Sequence, residues 1–329
     1  MKIKFPVLVA FLLLTNFGNC QNKVEPFQTH NLSPLVHFFA IPASNGGMLL
    51  EKHHLSIGNY FNIANNATSS QLEKEAIYLD GEMYCNELNF RYGLLSKLEI
   101  GVQFSVVKHS GGFMDPLISG WHKVFSLPGV AREAMDDYHL KYLYLEEDQQ
   151  VFDMEENKLQ LSDISMSIST PLLTGNEHFL ALKAFFKIST GDRKTLTGSG
   201  TNDLGFQLNG SIHPDIDAKE FAGFYSLGYV RIGDGALLAD IVSRNVIFGS
   251  TGLAYSISKR WIPKVQFDFH SSFYDKSRTR QLGRGSVQMV LGTDYLISKK
   301  LLLNGAFVED LIVNTAPDFV LHFGLTYKL

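Results

Sequence analysis

Apolar and polar residues alternate along the last segment of the chain. Every second residue there is apolar: Phe319, Leu321, Phe323, Leu325, Tyr327 and Leu329. The positions between them include Asp318, His322, Thr326 and Lys328. Side chains of a β-strand point in turn to the two faces of its sheet, so this period of two predicts a strand with one apolar face.

The same alternation recurs upstream, in segments of about the 9 to 11 residues that a tilted strand needs to cross a bilayer. Beyond residue 20, no apolar run approaches the ~20 residues that a transmembrane helix requires. An all-β chain of antiparallel strands is therefore predicted. The thirteen segments are 50–63, 82–92, 97–107, 138–147, 159–170, 178–190, 202–213, 221–233, 246–258, 261–274, 286–297, 300–311 and 318–329.

An odd number of strands conflicts with a single-chain bacterial barrel, whose strand number is even because both termini lie on the periplasmic side. Counted from either end of the chain, short connections between the predicted strands alternate with long ones. This alternation breaks between residues 108 and 160. Either 150–155 adds a short strand and makes fourteen, or 138–155 is an outer hairpin above a barrel of twelve strands. The pattern leaves both arrangements open.

The polar positions separate a membrane barrel from a secreted β-sandwich, which also alternates. A water-facing sheet usually carries Lys, Glu and Thr, but here Gly, Ser, Asn and Gln prevail, as in the file Ser165, Ser167 and Ser169. Small uncharged groups suit a crowded lumen, and Phe, Leu and Tyr suit a lipid-facing belt. The pattern favours a single transmembrane β-barrel. The terminal strand resembles the closing strand of outer-membrane barrels, although Leu329 stands where Phe is usual.

Composition narrows the class of protein further. Hydrophobic residues make up 45% of the chain and charged residues only 19%, which excludes a disordered or fibrous chain. The net charge of -4 provides no broad basic surface, so we predict no nucleic-acid partner.

The N-terminus has the pattern of a secretory signal. Lys2 and Lys4 precede an apolar stretch from residue 5 to residue 14, and small and polar residues follow. We predict a signal peptide over 1–20, cleavage before Gln21 and a barrel domain over 21–329. The alternative is a lipoprotein that retains Cys20. If Cys20 is removed, Cys85 stands alone, so neither an intramolecular disulfide nor a cysteine metal cluster is expected.

The longest interruption of the strand pattern is 108–136. Asp115 and Pro116 are suited to the start of a helix, and an apolar face follows, which predicts a short helical insertion near 115–126. This insertion could fold into the barrel mouth as a plug or gate and bring His109, Asp115, Trp121 and His122 near the lumen. Alternatively, the helix packs on the barrel rim, and Asp115 only caps it.

Several motifs together resemble a known family. They are Asp80-Gly81-Glu82, His109-Ser110-Gly111-Gly112-Phe113, Trp121-His122, Gly198-Ser199-Gly200, Ser272-Phe273-Tyr274-Asp275, Val308-Glu309-Asp310 and Thr315-Ala316-Pro317-Asp318. The chain thus resembles the bacterial family catalogued as domain of unknown function 3187 over nearly the whole mature sequence. The resemblance implies an outer-membrane β-barrel, and it implies no substrate or catalytic residue.

A lipid-acting outer-membrane hydrolase is the enzymatic alternative. His270, Ser272 and Asp310 supply the residue types of a nucleophilic site, and Tyr274 lies on the same strand parity as His270. Chance also supplies such residues in a chain with 11 His, and lumen histidines often serve in hydrogen-bond networks. We assign no catalytic residue, metal or cofactor, and an enzyme is the less favoured interpretation.

The sequence therefore predicts an exported outer-membrane barrel of a Gram-negative-type bacterium. Its predicted function is a narrow channel or uptake porin for a small solute that could be amphipathic, and a closed structural or adhesion barrel is a further alternative. The expected partners are outer-membrane lipid, the barrel-assembly machinery and the solute. The candidate lumen or plug residues are His109, Asp115, Trp121, His122, His270, Tyr274 and Asp310.

Overall fold

The computed structural model describes residues 23–116, 118, 120, 138–155, 158–214, 218–312 and 315–329. The predicted signal peptide over 1–20, together with Cys20, lies outside the described residues. So do Trp121, His122 and most of the predicted helical insertion; of that insertion, Asp115, Pro116, Ile118 and Gly120 are described, and they are helical.

Besides the helical residues within 115–120, the described residues form fifteen strands and one short helix. In that part of the chain, no helix is both long enough and apolar enough to span a membrane. The elements are β1 (Leu55–Gln71), β2 (Glu75–Leu95), β3 (Leu98–Ser110), β4 (Lys141–Glu146), β5 (Gln149–Met154), β6 (Gln160–Leu161), β7 (Ile164–Thr174), β8 (His178–Ile188), β9 (Asp203–Ile212), β10 (Phe221–Arg231), β11 (Asn245–Tyr255), β12 (Trp261–His270), α1 (Arg280–Gly283), β13 (Ser286–Leu296), β14 (Leu301–Asp310) and β15 (Phe319–Lys328).

Twelve of these strands close into an antiparallel barrel. The wall runs from β1 through β2 and β3 to β7, and then in chain order to β15. It closes where β1 pairs with β15, from Ser56 opposite Lys328 to Asn65 opposite Phe319. The prediction of an antiparallel barrel is confirmed, and twelve is the correct strand number.

The segment that left the strand count open is a hairpin outside the wall. β4 pairs with Glu75–Asp80 of β2, beyond the point where Ser110 ends β3 opposite Glu82. β5 pairs with β4 alone. The alternative of a fourteenth barrel strand at 150–155 is therefore wrong. β1 and β2 are also longer than predicted, at 17 and 21 residues, because they continue beyond the barrel to support this hairpin.

The alternation in sequence corresponds to an apolar exterior and a polar interior. In β9, Leu204 and Phe206 are 59% and 51% exposed, whereas the preceding Asp203 and the following Gln207 are buried. A water-soluble sheet would show the opposite burial, with its apolar side chains inside. The apolar belt thus faces outward around the wall, as it does in a barrel surrounded by lipid.

The two ends of the barrel differ in their connections. Connections such as 175–177 between β7 and β8, and 297–300 between β13 and β14, are short and lie at one end, which we call the short-turn end. The first residue of β1 and the last residue of β15 also lie there. The opposite, long-loop end carries the β4–β5 hairpin and the connections 189–202, 232–244 and 271–285.

Candidate functional site: a lumen filled by the N-terminal segment

The segment before β1 runs inside the barrel. Residues 23–50, which we call the plug, start at the short-turn end, where Val24 N donates to Pro214 O at 2.8 Å. The plug rises along β12 and turns near Leu35, which is fully buried. It then descends along β9–β11 and leaves at the short-turn end, where Leu50 N donates to Glu99 Oε2 at 2.8 Å.

Polar side chains of the wall hold the rising half of the plug. Gln266 accepts a hydrogen bond from Phe27 N at 2.8 Å and donates to Phe27 O at 3.2 Å. Asp268 accepts from Thr29 Oγ1 at 2.6 Å. An irregular backbone inside a barrel must find partners for its amides and carbonyls. The inward-facing side chains supply those partners.

The descending half is held in the same way. Asn45 N donates to Asn209 Oδ1 at 3.1 Å, and Gly47 N donates to Ser211 Oγ at 2.8 Å. At Gly47 the plug also touches the wall directly, because a Cβ there would lie 2.3 Å from Phe179 O. Only glycine fits at this contact.

A hydrophobic cluster, which we call the dome, closes the long-loop end over the plug tip. Phe39 of the tip stacks on Phe273, with ring centroids 4.6 Å apart, and Tyr274 Oη donates to Leu35 O at 2.7 Å. The barrel mouth is thus sealed by apolar packing against the plug. The dome residues from the hairpin and loops are Ile77, Leu79, Tyr142, Tyr144, Leu196, Leu238, Ile241, Val242, Phe273, Tyr274 and Leu282.

An ionic cluster joins the plug to the wall at the short-turn end. Glu25 of the plug contacts Arg91 at 2.8 Å and Lys328 at 3.2 Å. Arg91 also donates twice to Glu99, at 2.8 and 3.0 Å. Lys264 donates to Glu25 O at 2.9 Å and pairs with Asp294 at 2.8 Å. Burial by itself would raise the pKa of Glu25, but the nearby charges of Lys328 and Arg91 outweigh it and lower that pKa well below its usual range.

A second ionic cluster lies toward the long-loop end. The ammonium group of Lys187, on β8, contacts Asp163 at 2.7 Å and Asp203 at 3.0 Å. It also donates to Phe38 O of the plug at 2.8 Å and to Ser199 Oγ. Because both carboxylates also accept backbone hydrogen bonds, this cluster ties the plug tip to two long loops.

Three of the residues singled out from sequence contact the plug. The ring of His109 lies 5.9 Å from that of His37, His270 Nε2 lies 2.9 Å from Asn31 Nδ2, and Tyr274 bonds to the plug backbone as described above. All three are buried. The lumen thus gathers residues that are far apart in sequence, but around a segment that the strand pattern did not identify.

Asp115 and Asp310 lie near the long-loop end and bond to other elements. Asp115 accepts hydrogen bonds from Asn65 Nδ2 at 3.0 Å and from Tyr138 N at 2.8 Å. Asp310 accepts from the backbone of Thr315 at 2.9 Å and of Ala316 at 3.0 Å, so it shapes the connection to β15. Both carboxylates brace the chain where it leaves the barrel.

The His, Ser and Asp side chains that a hydrolase would use do not form a hydrogen-bonded catalytic relay. His270 Nδ1 lies 2.8 Å from Ser271 O, and its other nitrogen faces Asn31. Ser272 Oγ donates to Leu282 O at 2.8 Å, and Asp310 binds the loop amides. Since each group has a different structural partner, their arrangement supports no nucleophile and base pair. Within the described ranges, no three His, Cys, Asp or Glu side chains are grouped so that they could hold a metal ion.

The sequence interpretation missed the plug and its ionic partners. Residues 23–50 lack the alternation of a strand, so the pattern offered no element there. One signal was present in the sequence. In some strands a positively charged residue occupies a position on the polar face, although the other polar positions of that face are mostly uncharged. Arg91 and Lys264 are such residues, and a cation inside a barrel wall requires a partner.

Comparisons with known proteins agree with this architecture. The model of the family described as "Protein of unknown function (DUF3187)" matches residues 6–329. The comparison with curated proteins found no match. Among solved structures, the COG4313 outer membrane channel from Pseudomonas putida F1 is 11% identical with a TM-score of 0.53, over 85% of this chain and 97% of that chain. This likeness shows a shared fold.

Two further structures are more distant. NanC porin is 10% identical with a TM-score of 0.45, over 84% of this chain and 100% of that chain. The P. putida toluene transporter TodX is 10% identical with a TM-score of 0.37, over 86% of this chain and 90% of that chain.

Proposed function

The chain belongs to the family described as protein of unknown function (DUF3187), and we propose that it is a narrow outer-membrane channel or uptake porin for a small solute, closed in this state by its plug. The observation that carries the proposal is the lining of the lumen. Polar side chains from strands all around the wall face inward and bind an irregular segment that is not part of the wall.

The size of the barrel supports a path once the plug has left. Eight-stranded barrels are filled by their own side chains, whereas barrels of 16 to 18 strands leave a wide aqueous channel. Twelve strands lie between these limits. The space that now holds two passes of the plug is therefore sufficient for a small polar or amphipathic solute.

The topology supports withdrawal of the plug in one direction. Residue 23 and residue 50 both lie at the short-turn end, so the plug can leave as a hairpin without threading through the wall. In outer-membrane barrels the short turns are periplasmic and the long loops extracellular. The plug would then open toward the periplasm, and the dome would open toward the outside.

The proposed setting follows from the same orientation. Export by a signal peptide over 1–20 would deliver the chain to the barrel-assembly machinery, and outer-membrane lipid would surround the apolar belt. The described part of segment 108–136 lies at the mouth: Phe113 N donates to Glu82 Oε1 at 2.8 Å, and Met114 and Ile118 pack on Ile63. This part of the segment would form the rim of the path.

A reversible lock on the plug tests the proposal. Ser44 Oγ lies 2.6 Å from Ser226 Oγ, so Ser44→Cys with Ser226→Cys, in a Cys20→Ser/Cys85→Ala background, should form a disulfide between plug and wall. In planar bilayers we expect no conductance from the oxidised protein and opening events after reduction. Each single cysteine variant is the control, and it should behave the same with and without reductant.

A separate measurement shows whether the plug has moved. Cys85 faces the lumen and packs in one cluster with Phe27 and Leu32 of the plug, so its labelling by a water-soluble maleimide reports undocking. In the Cys20→Ser background, it is the single cysteine of the chain. Rapid labelling of Cys85 without any conductance or liposome swelling would overturn the channel proposal and favour a closed structural or adhesion barrel.

A further inference from the structure

The short-turn ionic cluster is built from the wall, and the plug completes it. Four cationic side chains of the wall lie there: Arg91, Lys183, Lys264 and Lys328. Three wall carboxyl groups accompany them, Glu87, Glu99 and Asp294. Glu25 of the plug is the fourth carboxylate of the cluster. Withdrawal of the plug would leave the wall with one cation in excess.

Glu25 binds in the way that a free carboxylate would bind. One of its oxygens contacts the Arg91 guanidinium at 2.8 Å, and the other contacts the Lys328 ammonium at 3.2 Å. Its side chain is 23% exposed, and it lines a small cavity of about 30 Å³ together with Arg91, Lys264, Asp294, Asn304 and Lys328. The carboxylate thus occupies a prepared position, with a small cavity beside it.

An independent observation comes from Lys183. This residue of β8 is 6% exposed, and among the described residues it makes no hydrogen bond and no ion pair. It lines a second small cavity of about 20 Å³, between plug and wall, with Asn45, Asn89, Arg91, Gln103 and Phe185. Its cross-strand neighbour Gln207 is also buried, and neither the amide nitrogen nor the amide oxygen of Gln207 has a hydrogen-bond partner. A buried ammonium group that lines a cavity and has no hydrogen-bonded acceptor points to an anionic ligand.

Arg91 and Asn89 line both cavities, so the two cavities border the same side chains. We propose that this site, formed by Arg91, Lys183, Lys264 and Lys328, binds the carboxylate of an anionic solute, and that Glu25 of the plug fills it in the closed state. The inference rests on the proposed channel function, since it names the class of solute that would pass.

The site also couples binding of the solute to undocking of the plug. A solute carboxylate competes with Glu25 for Arg91 and Lys328, and it gains Lys183, which the plug leaves without a partner. A ligand that binds only the undocked state shifts the equilibrium toward that state. An anionic solute should therefore promote the opening of its own path.

Benzoate and benzylammonium are suitable probes, because they match in size and differ in charge. In Cys20→Ser protein, we expect benzoate to raise the rate of Cys85 labelling by about threefold to tenfold, the range expected for a partly solvated charge-assisted contact. Benzylammonium at the same ionic strength should leave the rate unchanged. Equal effects of the two probes would overturn the proposed anion site.

Two variants and a control assign the effect to these residues. In Glu25→Gln, Cys85 should be labelled quickly even without benzoate, because the neutral amide no longer binds Arg91 and Lys328 as a carboxylate does. Lys183→Gln should abolish the acceleration by benzoate, measured relative to the labelling rate of the same variant without benzoate. Lys97→Gln removes an exposed cation at the same end and should behave as wild type. A wild-type benzoate response in Lys183→Gln would refute the role of Lys183 and, with it, the site.

Flux measurements separate this inference from the channel proposal. In swelling assays with Glu25→Gln proteoliposomes, entry of benzoate in preference to benzylammonium supports both proposals. Equal entry of the two probes keeps the channel and overturns the anion site. If benzoate speeds the labelling of Cys85 but neither probe enters the liposomes, the anion site is retained and the channel proposal is overturned.

Discussion

Lys187 is a single side chain that joins three parts of the molecule. Its ammonium group, only 2% exposed, contacts two aspartates of the long-loop end and a carbonyl of the plug tip. A buried cation is tolerated only with such partners, and removing one member of a buried pair leaves the other charge unpaired.

We expect Lys187→Met to lower the free energy of unfolding by about 3–5 kcal/mol, because Asp163 and Asp203 lose their shared cation. Denaturant unfolding of the protein refolded in phospholipid vesicles measures this change. Lys97→Met, which removes an exposed cation, is the matched control and should change it little. A loss no larger than that of the control would show that the two aspartates do not depend on Lys187.

Gly47 is the residue at which the plug touches the wall most closely. In Gly47→Ala the new methyl group would lie 2.3 Å from Phe179 O, so the descending half of the plug must move. We expect faster labelling of Cys85 with little change in barrel stability. Gly223→Ala is the control, since its methyl group would meet neighbours only at 3.7 Å or more. Unchanged labelling in Gly47→Ala would contradict the close contact.

The plug behaves as an element whose docking depends on buried polar groups. Burial lowers the pKa of His30 to about 4. Burial also lowers the pKa of His37 to about 4, although the Leu196 carbonyl and the charge of Asp163 act in the opposite direction; His30 and Lys187 add to the lowering. Both histidines are therefore neutral in the docked plug near neutral pH.

Acid should undock the plug. An undocked histidine takes up a proton near its ordinary pKa of 6.5, whereas the docked histidines resist protonation until about pH 4. The undocked plug binds more protons between these values, so docking weakens as the pH falls through this interval. Protonation of Glu25 acts in the same direction at still lower pH, because the docked form of Glu25 is charged.

Bilayer recordings between about pH 7 and about pH 4 span this interval, and we expect more frequent opening at the acidic end. His30→Gln combined with His37→Gln should flatten the dependence on pH. His53→Gln combined with His54→Gln changes exposed histidines before β1 and should preserve it. Equal pH profiles of the two double variants would exclude the plug histidines as its cause.

At the scale of the whole molecule, the surrounding solvent decides the cost of a surface change. Leu227 lies near the middle of β10 and is 53% exposed. In a barrel surrounded by lipid, Leu227→Arg should cost roughly 2–4 kcal/mol of unfolding free energy, as arginine does at the bilayer midplane. On a water-soluble sheet the same change would be nearly neutral.

Denaturant unfolding of the protein from phospholipid vesicles measures the unfolding free energy of each variant. Leu72→Arg is the control, because Leu72 is exposed in the turn that joins β1 to β2, beyond the barrel. It should cost much less than Leu227→Arg. Similar small costs at both positions would contradict a lipid-facing belt.

The pattern of residue types along the chain was sufficient to predict the wall of the barrel. A period of two in hydrophobicity assigns each residue to one face, and the choice of Gly, Ser, Asn and Gln on the polar face separates a lumen from a water-exposed surface. Both signals are local, because each can be read within one strand. They therefore predicted the closing strand at 318–329 and the inward file of Ser165, Ser167 and Ser169 without knowledge of any neighbour.

The strand number and the content of the lumen depend on contacts between distant parts of the chain. The exclusion of β4 and β5 from the wall depends on which part of β2 is already paired with β3. The plug has no period of its own, because its hydrogen bonds go to side chains on distant strands. Glu25 and Arg91 lie 66 residues apart and meet only inside the closed barrel, so no local pattern could pair them.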